Sequence, residues 1–241
     1  MDRLVRQPAA SSPARPSSVV VSPGLRLRRA LLMSRATKPV VFTLALLPLL
    51  LLVWRAFTVQ LGANPEQTVL WTTGLWALRM LLITLAVTPI RVLTGWSELA
   101  RLRRMLGLFG FGYALLHFTA YFGLVNDFSL GEVVQDVVKH PFVLAGMTAL
   151  VLLLPLAATS TNAIIRRLGA ARLRALHRLV YVIAPIAVFH YWWGKLAKNN
   201  TADPKVYATV LALLLGWRVL HALRARQRMQ AAGRSTGAGA T

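Results

Sequence analysis

Long apolar runs broken by short arginine-rich or mixed polar stretches dominate this chain. A helix needs roughly 20 mostly apolar residues to cross a bilayer. Six runs qualify: residues 39–57, 69–90, 105–125, 141–160, 176–194 and 206–223. The connections between them are too short to hold a soluble domain. The pattern predicts an all-α polytopic membrane bundle of six transmembrane helices over residues 38–223. Residues 1–37 are rich in Ser, Pro and Arg and contain no apolar run of membrane length. They are read as a disordered basic tail. A cleaved signal peptide is disfavoured because the Val19-Val20-Val21 run is too short for its apolar region. Residues 224–241 are read as a second disordered tail.

Composition agrees. Of 241 residues, 56% are hydrophobic and only 15% charged, with a mean hydropathy of +0.56. A soluble domain usually carries about 25% charged residues, so a water-soluble enzyme is excluded. The 28 Lys and Arg against 7 Asp and Glu give a net charge of +21. Cationic loops of a membrane protein account for that excess better than a nucleic-acid interface does. The chain has no Cys, which removes thiol catalysis, Cys-held zinc or iron–sulfur clusters, and haem attached through Cys-x-x-Cys-His.

The cations also orient the spans. Arginines crowd the first tail, the second connection (Arg91, Arg101, Arg103, Arg104), the fourth (Arg166, Arg167, Arg172, Arg174, Arg178) and the second tail. The first connection has neither Lys nor Arg, and the third has Lys139 alone beside Asp127, Glu132 and Asp136. The last connection breaks the alternation with Lys195, Lys198 and Lys205. By the positive-inside rule both termini are expected in the cytoplasm.

Polar side chains at membrane depth cost several kcal/mol unless paired, so they mark function. His117, His190 and Arg79 are the deep ones. At 1.5 Å of rise per residue, His117 lies about 18 Å and His190 about 21 Å from the inner edge. Arg79 lies about 12 Å below the outer surface, in the same layer. Two neutral imidazoles facing each other at one depth meet the ligand requirement of a bis-His haem b. A cation in that layer can neutralise a propionate, although Arg79 can equally snorkel outward. Gly107, Gly110, Ala114, His117 and Tyr121 repeat every three or four residues and form one stripe with room for a flat ring. A proton or ion relay through the histidines stays open as the competing reading. His177 and His221 lie near the inner surface, and His140 at the outer one. Tyr191-Trp192-Trp193 is read as an interfacial anchor. Pro185 sits between His177 and His190, where it can kink the helix.

The chain resembles the ferric-reductase-like transmembrane superfamily. The resemblance is carried by Thr73-Gly74-Leu75-Trp76 and Thr88-Pro89-Ile90-Arg91, and by the run from Arg101 to Gly110. Tyr113 to Tyr121, Leu176 to Tyr181 and His190-Tyr191-Trp192-Trp193 complete it. Within that superfamily it is similar to the haem-binding membrane subunits of periplasmic protein-methionine-sulfoxide reductase systems. The resemblance implies haem b, with His117, His177 and His190 as candidate iron ligands, and it implies FMN. It further implies electrons drawn from the quinone pool or a cytosolic flavin reductase. Their acceptor would be a periplasmic molybdopterin-containing catalytic subunit, paired with this chain as a heterodimer in the bacterial inner membrane. Relatives of the oxidase type carry a further His where this chain has Arg103, which places a four-histidine, two-haem ladder in doubt. Two other classes compete: a stand-alone ferric or quinone reductase, and a non-redox proton-coupled transporter.

Overall fold

The computed structural model describes residues 36–196 and 202–237. Eight α-helices follow in order, and the described residues contain no strand: α1 Thr37–Phe57, α2 Pro65–Thr94, α3 Arg103–Ala120, α4 Leu130–Lys139, α5 Pro141–Ala158, α6 Asn162–Leu176, α7 Val180–Leu196 and α8 Ala202–Gly237. Six helical segments are long and apolar enough to cross a membrane, and they coincide with the six apolar runs. The chain is a multi-pass membrane protein. The expected basic tail over residues 1–37 lies outside the described residues except for Ala36 and Thr37, which open α1. Lys198 also lies outside them.

Short loops join antiparallel neighbours, so the bundle has an arginine-rich end and an arginine-poor end. The arginine-poor end holds the connections before α2 and α5 and the start of α8. α2 is the central helix. Asn64 caps it by accepting from the Gln67 amide, Pro65 occupies its first turn, and Gly95 ends it at φ 73°. Its Leu78, Leu81, Leu82 and Leu85 pack with Ala149 and Leu156 of α5, Ile183, Ala184 and Val188 of α7, and Leu211 of α8. Its opposite side, through Met80 and Val87, packs with Ala45 of α1 and with Leu102, Leu106 and Tyr113 of the α3 region. Large apolar side chains such as Phe42, Leu44, Leu154 and Leu213 point outward, as lipid-facing surfaces require.

Two helices in the connections are additions to the expected six. α4 opens at Ser129, whose hydroxyl accepts from the Glu132 amide, and carries an exposed stripe of Leu130, Val134 and Val138. α6 opens at Thr161 in the same way and bends at Gly169, φ 75°. Between α3 and α4 the chain widens into a π-helical turn over Tyr121–Val125. α7 runs unbroken through Pro185; the irregular turn is the 3₁₀ segment His177–Leu179 just before it. α8 continues past residue 223 to Gly237, where the sequence reading expects a disordered tail. Ala, Arg, Gln and Met there are strong helix formers, and they extend a helix already nucleated in the bundle.

Candidate functional site

Between α2, α3, α5 and α7 lies a cavity of about 670 Å³, within the usual range for a small-molecule site. Its deep wall is apolar: Leu78, Leu81, Leu150, Leu153 and Ala187. The whole predicted α3 stripe, Gly107, Gly110, Ala114, His117 and Tyr121, lines one side. Polar side chains gather toward the arginine-poor end, at Gln67, Tyr121 and His140.

His117 and His190 both line this cavity. Their ring centroids are 6.1 Å apart with planes inclined at 73°. Each ring is held from behind by main chain of another helix. His117 Nδ1 lies 2.9 Å from the Leu70 carbonyl of α2, and His190 Nδ1 lies 2.6 Å from the Phe142 carbonyl of α5. A carbonyl can only accept, so both Nδ1 atoms carry the proton and both Nε2 atoms keep a lone pair. Phe142 also stacks on the His190 ring, 6.2 Å between centroids.

Two glycines make these placements possible. A Cβ on Gly74 would stand 2.9 Å from His117, and one on Gly146 would stand 2.8 Å from His190. Each imidazole therefore rests against a bare stretch of neighbouring helix. Sequence reading misses this pairing of glycine with histidine; the available signal is a Gly within each span that faces a histidine-bearing one.

Arg79, His177 and His221 do not join the cavity. Arg79 donates from Nε to the Tyr207 hydroxyl at 2.9 Å and lies 4.8 Å from the Trp76 ring centre. It links α2 to α8 and is not among the cavity-lining residues. His177 is half-buried at the arginine-rich end, thirteen residues before His190, with Arg103 as an electrostatic neighbour. His221 is exposed and stacks on Trp217 of its own helix at 5.0 Å. Of the aromatic cluster, Tyr191 and Trp193 line the cavity. Tyr191 packs edge-on against Trp71 at 6.0 Å and Tyr207 at 5.6 Å. Lys195 sits 3.9 Å from the Trp71 ring centre.

Comparison with known proteins gives this arrangement its family. The family described as ferric reductase like transmembrane component matches residues 73–188, a stretch that contains His117 and ends two residues before His190. A protein of Polaromonas naphthalenivorans is 47% identical over 84% of this chain and 93% of its own length. One of Herminiimonas arsenicoxydans is 48% identical over 80% of this chain and 89% of its own. A third, of Bordetella pertussis, is 46% identical over 76% and 88%. All three are named protein-methionine-sulfoxide reductase heme-binding subunit MsrQ. This chain belongs to the MsrQ family. No solved structure matches it. Relative to an MsrQ protein's full length the similarity is nearly complete, so it covers the bundle and not the cavity alone.

Proposed function

We propose that this MsrQ-family chain is a haem b membrane subunit that passes electrons across the bacterial inner membrane, and that His117 and His190 would hold the haem iron. The observation that carries this reading is the pair itself. The two imidazoles line one cavity with ring centroids 6.1 Å apart, near enough for both to hold a single metal centre between them. Both Nε2 lone pairs are free, and the cavity beside them is apolar and large enough to take a flat macrocycle. The residues fit the group.

Haem supplies a one-electron carrier inside a layer that excludes ions and water. The chain's own work is to hold and tune it. The Leu70 and Phe142 carbonyls fix the tautomer of each histidine and make the opposite nitrogen a better donor. Gly74 and Gly146 let the rings lie flat against α2 and α5. Leu78, Leu81, Leu150 and Leu153 keep the surroundings apolar, which sets the potential together with the ligands. His177 lies about 20 Å along the chain axis from His190 and would serve only a second group at the arginine-rich end. Arg79, tied to Tyr207, is assigned no contact with the group, and no residue is assigned to FMN.

In this reading electrons enter from the quinol pool or a cytosolic flavin reductase and leave to a periplasmic molybdopterin-containing subunit, which performs the chemistry on methionine sulfoxide. The relatives' names support the reductase system. The arginine distribution supports cytoplasmic termini and, with them, a cavity mouth on the periplasmic side. A proton-coupled transporter would favour broken helices around a hydrated cavity; an unbroken α7 and an apolar cavity wall favour the conduit. Absorption spectra of the detergent-purified chain, oxidised and dithionite-reduced, test the proposal. A b-type spectrum lost in both His117→Ala and His190→Ala is expected. A colourless protein expressed with ample haem would overturn it. A ferric or quinone reductase would show itself by reducing a small acceptor without any partner.

A further inference from the structure

At the cavity's arginine-poor rim, one carboxylate joins the two segments on which the histidines depend. The Tyr121 hydroxyl donates to Asp136 Oδ2 at 2.7 Å. His140 Nδ1 lies 3.3 Å from Asp136 Oδ1, and the His140 amide donates to the Asp136 carbonyl at 2.8 Å. Both carboxylate oxygens are therefore engaged, one by each side of the rim. Tyr121 and His140 themselves line the cavity.

Each side leads directly to a cavity histidine. The Tyr121 amide bonds to the His117 carbonyl at the end of α3, one turn along the same stripe. Tyr121 also opens the π-helical turn, a local widening frequent at functional sites. On the other side, His140 precedes the first turn of α5, and its carbonyl accepts from the Val143 and Leu144 amides. That turn contains Phe142, whose carbonyl holds His190 Nδ1 and whose ring stacks on it. The sequence His117, Tyr121, Asp136, His140, Phe142, His190 is thus one continuous set of contacts around the mouth of the cavity. A carboxylate hydrogen bond to a phenol is charge-assisted and stronger than a neutral one.

We propose that Asp136 is the positioning residue that closes this rim, holding through Tyr121 and His140 the segments that aim His117 and His190 at the haem. The inference rests on the bis-His haem reading above. Asp136 touches neither ligand; it acts by keeping both in place.

The test uses the full chain, purified in detergent and loaded with haem b, and carbon monoxide as the probe. Carbon monoxide binds reduced haem only where an axial position opens. Wild type is expected to resist it. Asp136→Ala is expected to form the carbon monoxide adduct and to lose haem affinity by about tenfold, the scale typical of outer-shell partners. Tyr121→Phe removes one hydroxyl and should shift carbon monoxide access in the same direction, by less. Asp136→Glu should restore resistance. Asp136→Ala that keeps wild-type haem affinity and stays closed to carbon monoxide overturns the proposal alone. Should that variant not accumulate, Tyr121→Phe decides by the same two readouts. Wild type that takes up no haem overturns the functional reading, and this inference with it.

Discussion

His117 and His190 are each defined by three contacts: a carbonyl behind, a glycine beside and the cavity in front. The glycines give the most direct test of that geometry. Gly74→Ala places a methyl 2.9 Å from the His117 ring, and Gly146→Ala one 2.8 Å from the His190 ring, closer than carbon and ring atoms tolerate. Either ring must move, and a ligand moved by even a few tenths of an ångström weakens its bond to a metal. Each variant is expected to lose most of its haem in spectra normalised to protein, while keeping the helical circular dichroism of wild type. Full haem content in both would remove the steric account. Depth was legible in the sequence because helical rise is regular: counting residues puts His117 and His190 in one layer, and they meet there. Their hydrogen-bond partners were not legible, because Leu70 and Phe142 act through main-chain carbonyls that have no signature in side-chain type. Arg79 shows the limit of counting. It has the right depth, but depth leaves azimuth open, and a residue on α2 can face α8 as easily as the cavity.

The helices differ in how firmly the bundle holds them. α2 is buried on two sides, whereas α1 meets it mainly through the Ala45 region. There the Tyr113 hydroxyl donates to the Ala45 carbonyl at 2.8 Å and accepts from the Leu49 amide at 3.2 Å. It stands between a donor and an acceptor four residues apart on α1, beside Pro48, and so latches α1 to α3. Tyr113→Phe leaves that shape unchanged and removes both bonds. A loss of about 1–2 kcal/mol is expected, read as a lower midpoint of thermal unfolding in detergent, with the haem spectrum unaltered. An unchanged midpoint would show that α1 is held by packing alone. The six membrane helices were legible because each needs a long apolar run. α4 and α6 were not, since a short amphipathic helix in a connection has no such run and is specified by its cap and by what it packs on. The extension of α8 was hidden by its polar composition. Residues 224–231 are exposed throughout, so a chain ending at Arg228 is expected to keep wild-type haem content and stability. A drop in either would mean that the last turns make contacts within the folded protein.

Across the whole molecule, charge and chemistry are arranged on the same axis. The cavity opens among Gln67, Tyr121 and His140, at the end whose described connections carry Asp127, Glu132 and Asp136. The opposite end carries Arg91, Arg101, Arg103, Arg104 and the arginines of α6. Under the proposed function, the positive-inside rule predicts that the cavity mouth faces the periplasm, as electron delivery to a periplasmic acceptor would require. The lysines at the arginine-poor end, Lys139, Lys195 and Lys205, oppose the rule locally, so the orientation calls for a direct measurement. Absence of native cysteine makes that measurement free of background. Gln60→Cys sits in the connection between α1 and α2, and Arg167→Cys on the exposed face of α6. In cells whose outer membrane has been permeabilised, a membrane-impermeant maleimide is expected to label Cys at position 60 and to spare position 167 until the inner membrane is lysed. The reverse pattern would turn the cavity mouth toward the cytoplasm. Electrons would then have no route from the histidine pair to a periplasmic partner, and a conduit feeding methionine sulfoxide repair would be untenable whatever the haem content.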